Sequence, residues 1–220
     1  MSHIAENLQN IKNELGTAKL IAVSKTRTVE EIREAYNAGQ REFGENKVQE
    51  LADKAEQLAD LDIHWHFIGH LQSNKIPILR KIPHLVSIHS IDSINLLNKI
   101  LSKTWVNKIG VFLQINTSGE AEKSGFSDPD EIEVAVRLLQ DASEVNLQGL
   151  MTIGAIRTDE FEKEAERCFS MLAEVKKALD VRFDLNLELS MGMSSDYPIA
   201  VKLGSDWVRV GTAIFGARNL

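Results

Sequence analysis

Leu20-Ile21-Ala22-Val23-Ser24-Lys25 is a short apolar run that ends on two polar residues. A helical signal follows from Thr28 through Ala38, with Glu30 and Glu31 in its first turn and Gly39 closing it. Then comes a second short run, Glu42 to Asn46, and another helical stretch reaching about Leu58. Strand, helix and strand in that order predict a parallel βαβ unit with a right-handed crossover.

The pattern persists in both directions. Before this unit, Ile4, Leu8, Ile11 and Leu15 recur at helical spacing and predict an extra N-terminal helix. After it, strands are expected at His64 to Gly69, Leu85 to Ser90, Gly110 to Asn116, Leu147 to Ile153, Leu185 to Ser190 and Trp207 to Phe215. The intervening helices are Asn74 to Arg80, one capped by Asp92 and running through Leu101, and one opened by Asp128-Pro129 and running to Leu139. A long helix from Glu160 to Leu179 and a short one around Tyr197 to Leu203 complete the alternation. Eight such units can close into a barrel, which also removes exposed sheet edges. An open doubly wound sheet would more often carry a glycine-rich fingerprint after its first strand, where this chain has Ser24-Lys25-Thr26. The expected fold is therefore α/β, a single (β/α)8 TIM-type barrel domain over residues 1–220.

Composition narrows the function classes. Against 25 Lys+Arg stand 32 Asp+Glu, and no basic stripe appears, so no nucleic-acid partner is expected. No run approaches the roughly 18 apolar residues of a membrane span, and no signal-peptide core opens the chain. The expectation is a cytoplasmic protein without membrane contact. The lone cysteine, Cys168, has no internal disulfide partner and reads as a half-buried helix residue. No long apolar patch stands out, which favours a monomer.

Along a barrel strand, side chains alternate between the lumen and the surrounding helices. Leu185, Leu187 and Leu189 oppose Asn186, Glu188 and Ser190, while Val111, Leu113 and Ile115 oppose Phe112, Gln114 and Asn116. Placing the aliphatic rows against the helices sends polar rows into the lumen, where they need internal partners or a ligand. Barrel sites lie at the C-terminal strand ends. Those ends read Lys25, Asn46, Gly69-His70, Ser90, Asn116, Thr152, Ser190 and Arg209.

Lys25 closes an apolar run, where desolvation lowers an amine's pKa as a Schiff base requires. Near the end of the chain, Ser190-Met191-Gly192-Met193-Ser194-Ser195-Asp196 and Arg209-Val210-Gly211-Thr212 follow the last two strands. Loops after strands seven and eight commonly build barrel phosphate sites. A Schiff-base lysine facing two phosphate-type loops points to pyridoxal 5'-phosphate (PLP). Arg209 shares the lumen side of Gly211; a guanidinium there only donates and leaves a pyridine nitrogen unprotonated, which mutes the cofactor. The simpler alternative is an ordinary ion pair between Arg209 and Glu188.

These residues sit inside longer motifs. They are Ala22-Val23-Ser24-Lys25-Thr26, Phe43-Gly44-Glu45-Asn46 with Val48-Gln49-Glu50, and Trp65-His66-Phe67-Ile68-Gly69 with Leu71-Gln72-Ser73-Asn74-Lys75. Lys123-Ser124-Gly125, Gly149-Leu150-Met151, Ser190-Met191-Gly192-Met193-Ser194 and Arg209 through Gly216 follow. With these motifs in this order over nearly its whole length, the chain resembles the pyridoxal phosphate homeostasis proteins of the YggS/PROSC type. It departs in a short link, Gly16 to Lys19, away from the site.

The resemblance implies a fold-type III PLP barrel like the N-terminal domain of alanine racemase. It implies that Lys25 holds PLP as a Schiff base, that Asn46 lies beside the ring and that Arg209 faces the pyridine nitrogen. Ser190, Gly211 and Thr212 would hold the phosphate, with Ser194 and Gly192 shaping that loop. The implied role is vitamin B6 and amino-acid homeostasis; the muting Arg209 and the lack of a second base favour a carrier or regulator that passes PLP to apo-enzymes, with no strong turnover and no catalytic residue assigned.

The first rival is a weakly active PLP-dependent racemase. Racemisation needs an acid/base group on each face of the substrate. The sequence ends at Leu220, and Tyr36 and Tyr197 both fall in helical segments, so no opposing tyrosine is expected. A second rival is a metal-dependent hydrolase built on His64-Trp65-His66. That pair begins its strand instead of ending it, so no metal site is assigned.

Overall fold

Eight parallel strands close on one another in chain order, β1 against β2 and so on round to β8 against β1. This is a computed structural model, and it describes residues 2–120, 124–154 and 160–217. The strands are β1 Lys19–Val23, β2 Glu42–Glu45, β3 His64–Phe67, β4 Leu85–Ile91, β5 Ile109–Gln114, β6 Val145–Met151, β7 Glu188–Ser190 and β8 Trp207–Val210. The helices are α1 His3–Glu14, α2 Val29–Asn37, α3 Val48–Gln57, α4 Ile76–Leu79, α5 Ile94–Leu101, α6 Pro129–Gln140, α7 Phe161–Phe183, α8 Tyr197–Lys202 and α9 Thr212–Phe215. The expected α/β barrel with an additional N-terminal helix is the architecture observed.

Two apolar layers hold it together. The larger joins the outward faces of the strands to the helices and contains Leu20, Ala22, Val111, Leu113, Leu187 and Leu189. The smaller plugs the lumen and consists of Ile21, Phe112, Met151 and Trp207. The aliphatic rows of strands five and seven therefore face the helices, as their alternation predicts. Local signals set the helix starts: Thr28 and Glu31 form a reciprocal capping box on α2, and Asp128 caps α6 ahead of Pro129.

Several boundaries differ from expectation. The last strand stops at Val210, and Ile214 and Phe215 belong to α9, where both N–H groups bond to the Gly211 carbonyl. A short apolar run does not separate strand from helix by periodicity. Helix α5 is capped by Ser93, whose hydroxyl accepts from Leu96 N–H, while Asp92 accepts from the Ser93 hydroxyl. Helix α7 runs on to Phe183 and ends at Asp184 in the left-handed region, φ 52°. Strand β7 starts only at Glu188 because Leu185 and Leu187 N–H groups are still bonded to the Asp180 carbonyl and carboxylate.

Candidate functional site

The β1–β8 register aligns Ile21 with Arg209. Ile21 points into the lumen plug, so alternation puts Val23 on the same face, and Lys25 follows in the turn beyond β1, where Arg27 N–H bonds the Ser24 carbonyl. Lys25 is half-buried there. Its two neighbours are gripped from the opposite side of the strand. The Ser24 hydroxyl donates to Glu45 Oε1 at 2.7 Å, Lys54 Nζ donates to the Ser24 carbonyl at 2.7 Å, and Thr26 N–H donates to Glu50 Oε1 at 2.6 Å. Lys54 also bonds Glu45 and Glu50, at 2.8 and 2.7 Å, which closes a buried ionic clamp. Thr26 sits at φ 65°, a conformation a threonine adopts only when its surroundings impose it.

Across the mouth lie the other candidates. Ser194 Oγ accepts from Gly211 N–H at 3.2 Å and Ala213 N–H at 3.4 Å, joining the β7 loop to the turn after β8. Gly211 approaches β1 so closely that a Cβ would stand 3.1 Å from the Val23 carbonyl oxygen. Gly192 has φ 94°, and a Cβ on it would stand 2.6 Å from the Ala200 Cβ, so glycine is required on both counts. Thr212 is exposed at the rim and Asn46 is half-buried at the end of β2. A cavity of about 270 Å³, lined by Ile68, His70, Gln114, Asn116, Ser124 and Ile153, opens between the ends of β3, β5 and β6. The sequence motif containing Lys123 reaches outside the described residues.

Arg209 is buried under this mouth. Its Nη1 donates to the Ser190 carbonyl at 2.7 Å and the Ser190 hydroxyl at 2.6 Å, and its Nη2 donates to the Thr152 carbonyl at 2.8 Å. Burial lowers its pKa to about 10, opposed by Asp196, and leaves it charged at neutral pH. Glu188 is not its partner. That carboxylate takes Lys19, Gln148 and the Trp207 indole instead, so the simple ion-pair alternative fails. Ser190 is fully buried beside Arg209, one layer below the loop that carries Ser194, and its hydroxyl is engaged by Arg209 and His89. The Ser190 hydroxyl is thus committed to Arg209 and His89, whereas Ser194 is the serine bonded to the Gly211 turn.

The lumen below was not legible in the sequence. His66 and His89 are buried at its centre, and His89 stacks on Phe112 with ring centroids 4.1 Å apart. Both imidazoles are held below their ordinary pKa by burial; Glu42 opposes this for His66, while His66 and Arg209 reinforce it for His89. The two histidines of the rival metal reading both face one carboxylate: His64 Nδ1 and His66 Nε2 lie 2.8 and 2.7 Å from the two oxygens of Glu42.

These depressed imidazole pKa values give stability a pH dependence. Between the folded pKa and the unfolded value near 6.5, the unfolded chain binds protons that the folded one does not. Stability therefore falls as pH drops below about 6.5, by at most about 1.4 kcal/mol per pH unit for each histidine. Glu42 and Glu188 are held below the carboxylate value of 4.5 because their hydrogen bonds outweigh burial, so their contribution disappears at still lower pH. Urea unfolding at pH 7.5, 6.0 and 5.0 is expected to show the first loss, and His89→Phe to reduce its slope.

Placed together, a lysine, a donor-only guanidinium, a serine hydroxyl and the backbone N–H groups of a turn fit an anion-bearing aldehyde on a nitrogen heterocycle. Comparison with known proteins agrees in kind. Residues 1–219 match the family model "Alanine racemase, N-terminal domain". The chain is 43% identical over 202 residues to the pyridoxal phosphate homeostasis protein of Schizosaccharomyces pombe, covering 90% of this chain and 84% of that one. It is 39% identical over 236 residues to the protein of that name from Vibrio alginolyticus, covering 100% and 99%. Among solved structures, PipY of Synechococcus elongatus with PLP bound superposes with a TM-score of 0.86 at 37% identity, covering 97% of this chain and 100% of PipY. The chain belongs to the alanine racemase N-terminal domain family and, within it, to the pyridoxal phosphate homeostasis proteins.

Proposed function

We propose that this chain binds PLP at the C-terminal mouth of its barrel, as a Schiff base on Lys25, and serves as a cytoplasmic carrier or regulator in vitamin B6 and amino-acid homeostasis. What supports this reading is that Lys25 follows β1, which pairs with the Arg209 strand, and that the Gly211 turn closes on Val23 and is bonded to Ser194. Lys25 supplies the amine. Arg209 presents donors toward a ring nitrogen and so keeps it unprotonated. Ser194 and Thr212 supply the phosphate cradle, with the turn held by the Gly211 and Ala213 N–H groups on Ser194 Oγ, Gly192 gives its loop the necessary turn, and Asn46 stands beside the ring. Ser190 acts from beneath, through Arg209. When bound, PLP supplies an aldehyde and a conjugated electron sink.

Carriage is favoured over turnover by where the acid/base groups lie. Tyr197 donates to Glu14 at 2.5 Å, its pKa raised to about 12 by burial and by Glu14, and the Tyr36 hydroxyl accepts from Asp62 N–H. Both tyrosines are committed away from the mouth. The role predicts a monomer that gives up PLP to an apo-enzyme recipient.

The test is reaction with PLP followed by borohydride reduction and peptide mapping. Phosphopyridoxyl label is expected on Lys25, and Lys25→Ala is expected to lose the visible absorption band and at least about a hundredfold in PLP affinity, since the covalent linkage is gone. A wild-type protein that stays colourless with added PLP would overturn the reading. Rapid deuterium exchange at the alanine α-carbon would favour the racemase instead.

A further inference from the structure

The lumen contains a hydrogen-bond chain whose two ends dictate its direction. At the top, Arg209 can only donate, so the Ser190 hydroxyl accepts from it at 2.6 Å and has its own proton to place. That proton points to His89 Nδ1, 2.8 Å away. With Nδ1 accepting, a neutral His89 carries its proton on Nε2 and donates it to Ser87 Oγ at 2.7 Å. Ser87 then donates to His66 Nδ1 at 2.6 Å. His66 is left with its proton on Nε2, facing Glu42 Oε2 at 2.7 Å.

The same assignment follows from the bottom. The Glu42 carboxylate only accepts, so His66 must donate from Nε2 and accept at Nδ1, and Ser87 must donate to it. A cation at one end and an anion at the other thus demand the same tautomer of both histidines. Every hydrogen bond between them points the same way, and aligned bonds between buried groups polarise one another.

We propose that Ser190, His89, Ser87, His66 and Glu42 form a one-way relay of positioning residues that orients Arg209 for the cofactor ring. This rests on the reading that Arg209 faces that ring. No carboxylate among the described residues hydrogen-bonds the guanidinium, and Asp196 acts on it through space. Among the described residues, Arg209 keeps its Nε–H and one Nη2 proton unengaged by protein groups, available to a ligand. A direct Arg–carboxylate fork would consume those donors.

Two measurements test it. Nitrogen-15 spectra of the imidazoles in cofactor-free protein at neutral pH are expected to show His66 and His89 both neutral with the proton on Nε2. A charged His89, or one protonated on Nδ1, overturns the relay even if PLP binding is intact. The second is PLP titration of a relay variant. His89→Phe keeps a ring against Phe112 but leaves the Ser190 proton without an acceptor, and is expected to weaken PLP binding about tenfold and to alter the absorption of the bound cofactor. Unchanged affinity and spectrum in His89→Phe would overturn the proposal. Failure of wild type to bind PLP would sink the cofactor reading but leave the nitrogen-15 result standing.

Discussion

Replacing Lys54 by methionine is expected to lower the unfolding free energy by about 3–5 kcal/mol, the typical cost of breaking a buried ion pair from one side. All three ammonium protons are in use, on the Ser24 carbonyl, Glu45 and Glu50. Glu45 is fully buried, and its second carboxylate oxygen has no hydrogen-bond partner among the described residues. Burial already pushes the Glu45 pKa up, against the pull of Lys54 and Ser24, so without Lys54 the group would take up a proton or stand as an uncompensated charge. The double variant Lys54→Met/Glu45→Leu is expected to recover much of the loss, because an apolar pair in place of a buried ionic one is often nearly neutral. Urea unfolding of the two variants checks this. If the single variant lost no more than a surface substitution, roughly 0.5 kcal/mol, the clamp would have no structural weight. The functional consequence runs through the backbone: the clamp holds Ser24 and Thr26, the residues on either side of Lys25.

Arg209→Leu carries the second large effect. It removes the donor to three acceptors, the Ser190 carbonyl and hydroxyl and the Thr152 carbonyl. Each buried acceptor left unpaired costs about 1–3 kcal/mol, partly offset by relief of the guanidinium's own desolvation, so a net loss of about 2–4 kcal/mol is expected. Loss of the donors toward the ring is expected to weaken PLP binding by at least tenfold, about 1.4 kcal/mol. Arg209→Lys keeps a charge but lacks the planar fork that spans β6 and β7, and should fall between wild type and the leucine variant. Thermal unfolding and PLP titration of the three proteins rank them. Equal PLP affinity in all three would remove Arg209 from the binding site.

The local grammar of the chain was readable at some of these positions and silent at others. The Ser194–Gly211 bond joins two loops and was not readable. The positions of Lys25 and Asn46 after their strands follow from strand-end patterns, which are properties of a few consecutive positions. The apolar run from Trp207 to Phe215 was misleading for the same reason. A turn of helix and a short strand bury similar residues, and only the bonds to the Gly211 carbonyl decide for α9. Lys54 gave no sign of its role, since a lysine inside an amphipathic helix is normally solvated. In the fold it lies on the strand-facing side of α3, between buried Leu51 and Ala55.

Alternation of short apolar runs with helical ones was enough, by itself, to specify a closed parallel barrel and the mouth at which its polar strand ends meet. The family motifs named the polar residues expected at one site. Tertiary structure alone decided what fills the lumen. It put Ser190 beneath Arg209 and strung His89, Ser87, His66 and Glu42 into one chain, across separations as large as the 101 positions between His89 and Ser190. Hydrogen-bond direction depends on which donors and acceptors closure of the barrel brings within about 3 Å, and that proximity is not a property of any short stretch of sequence.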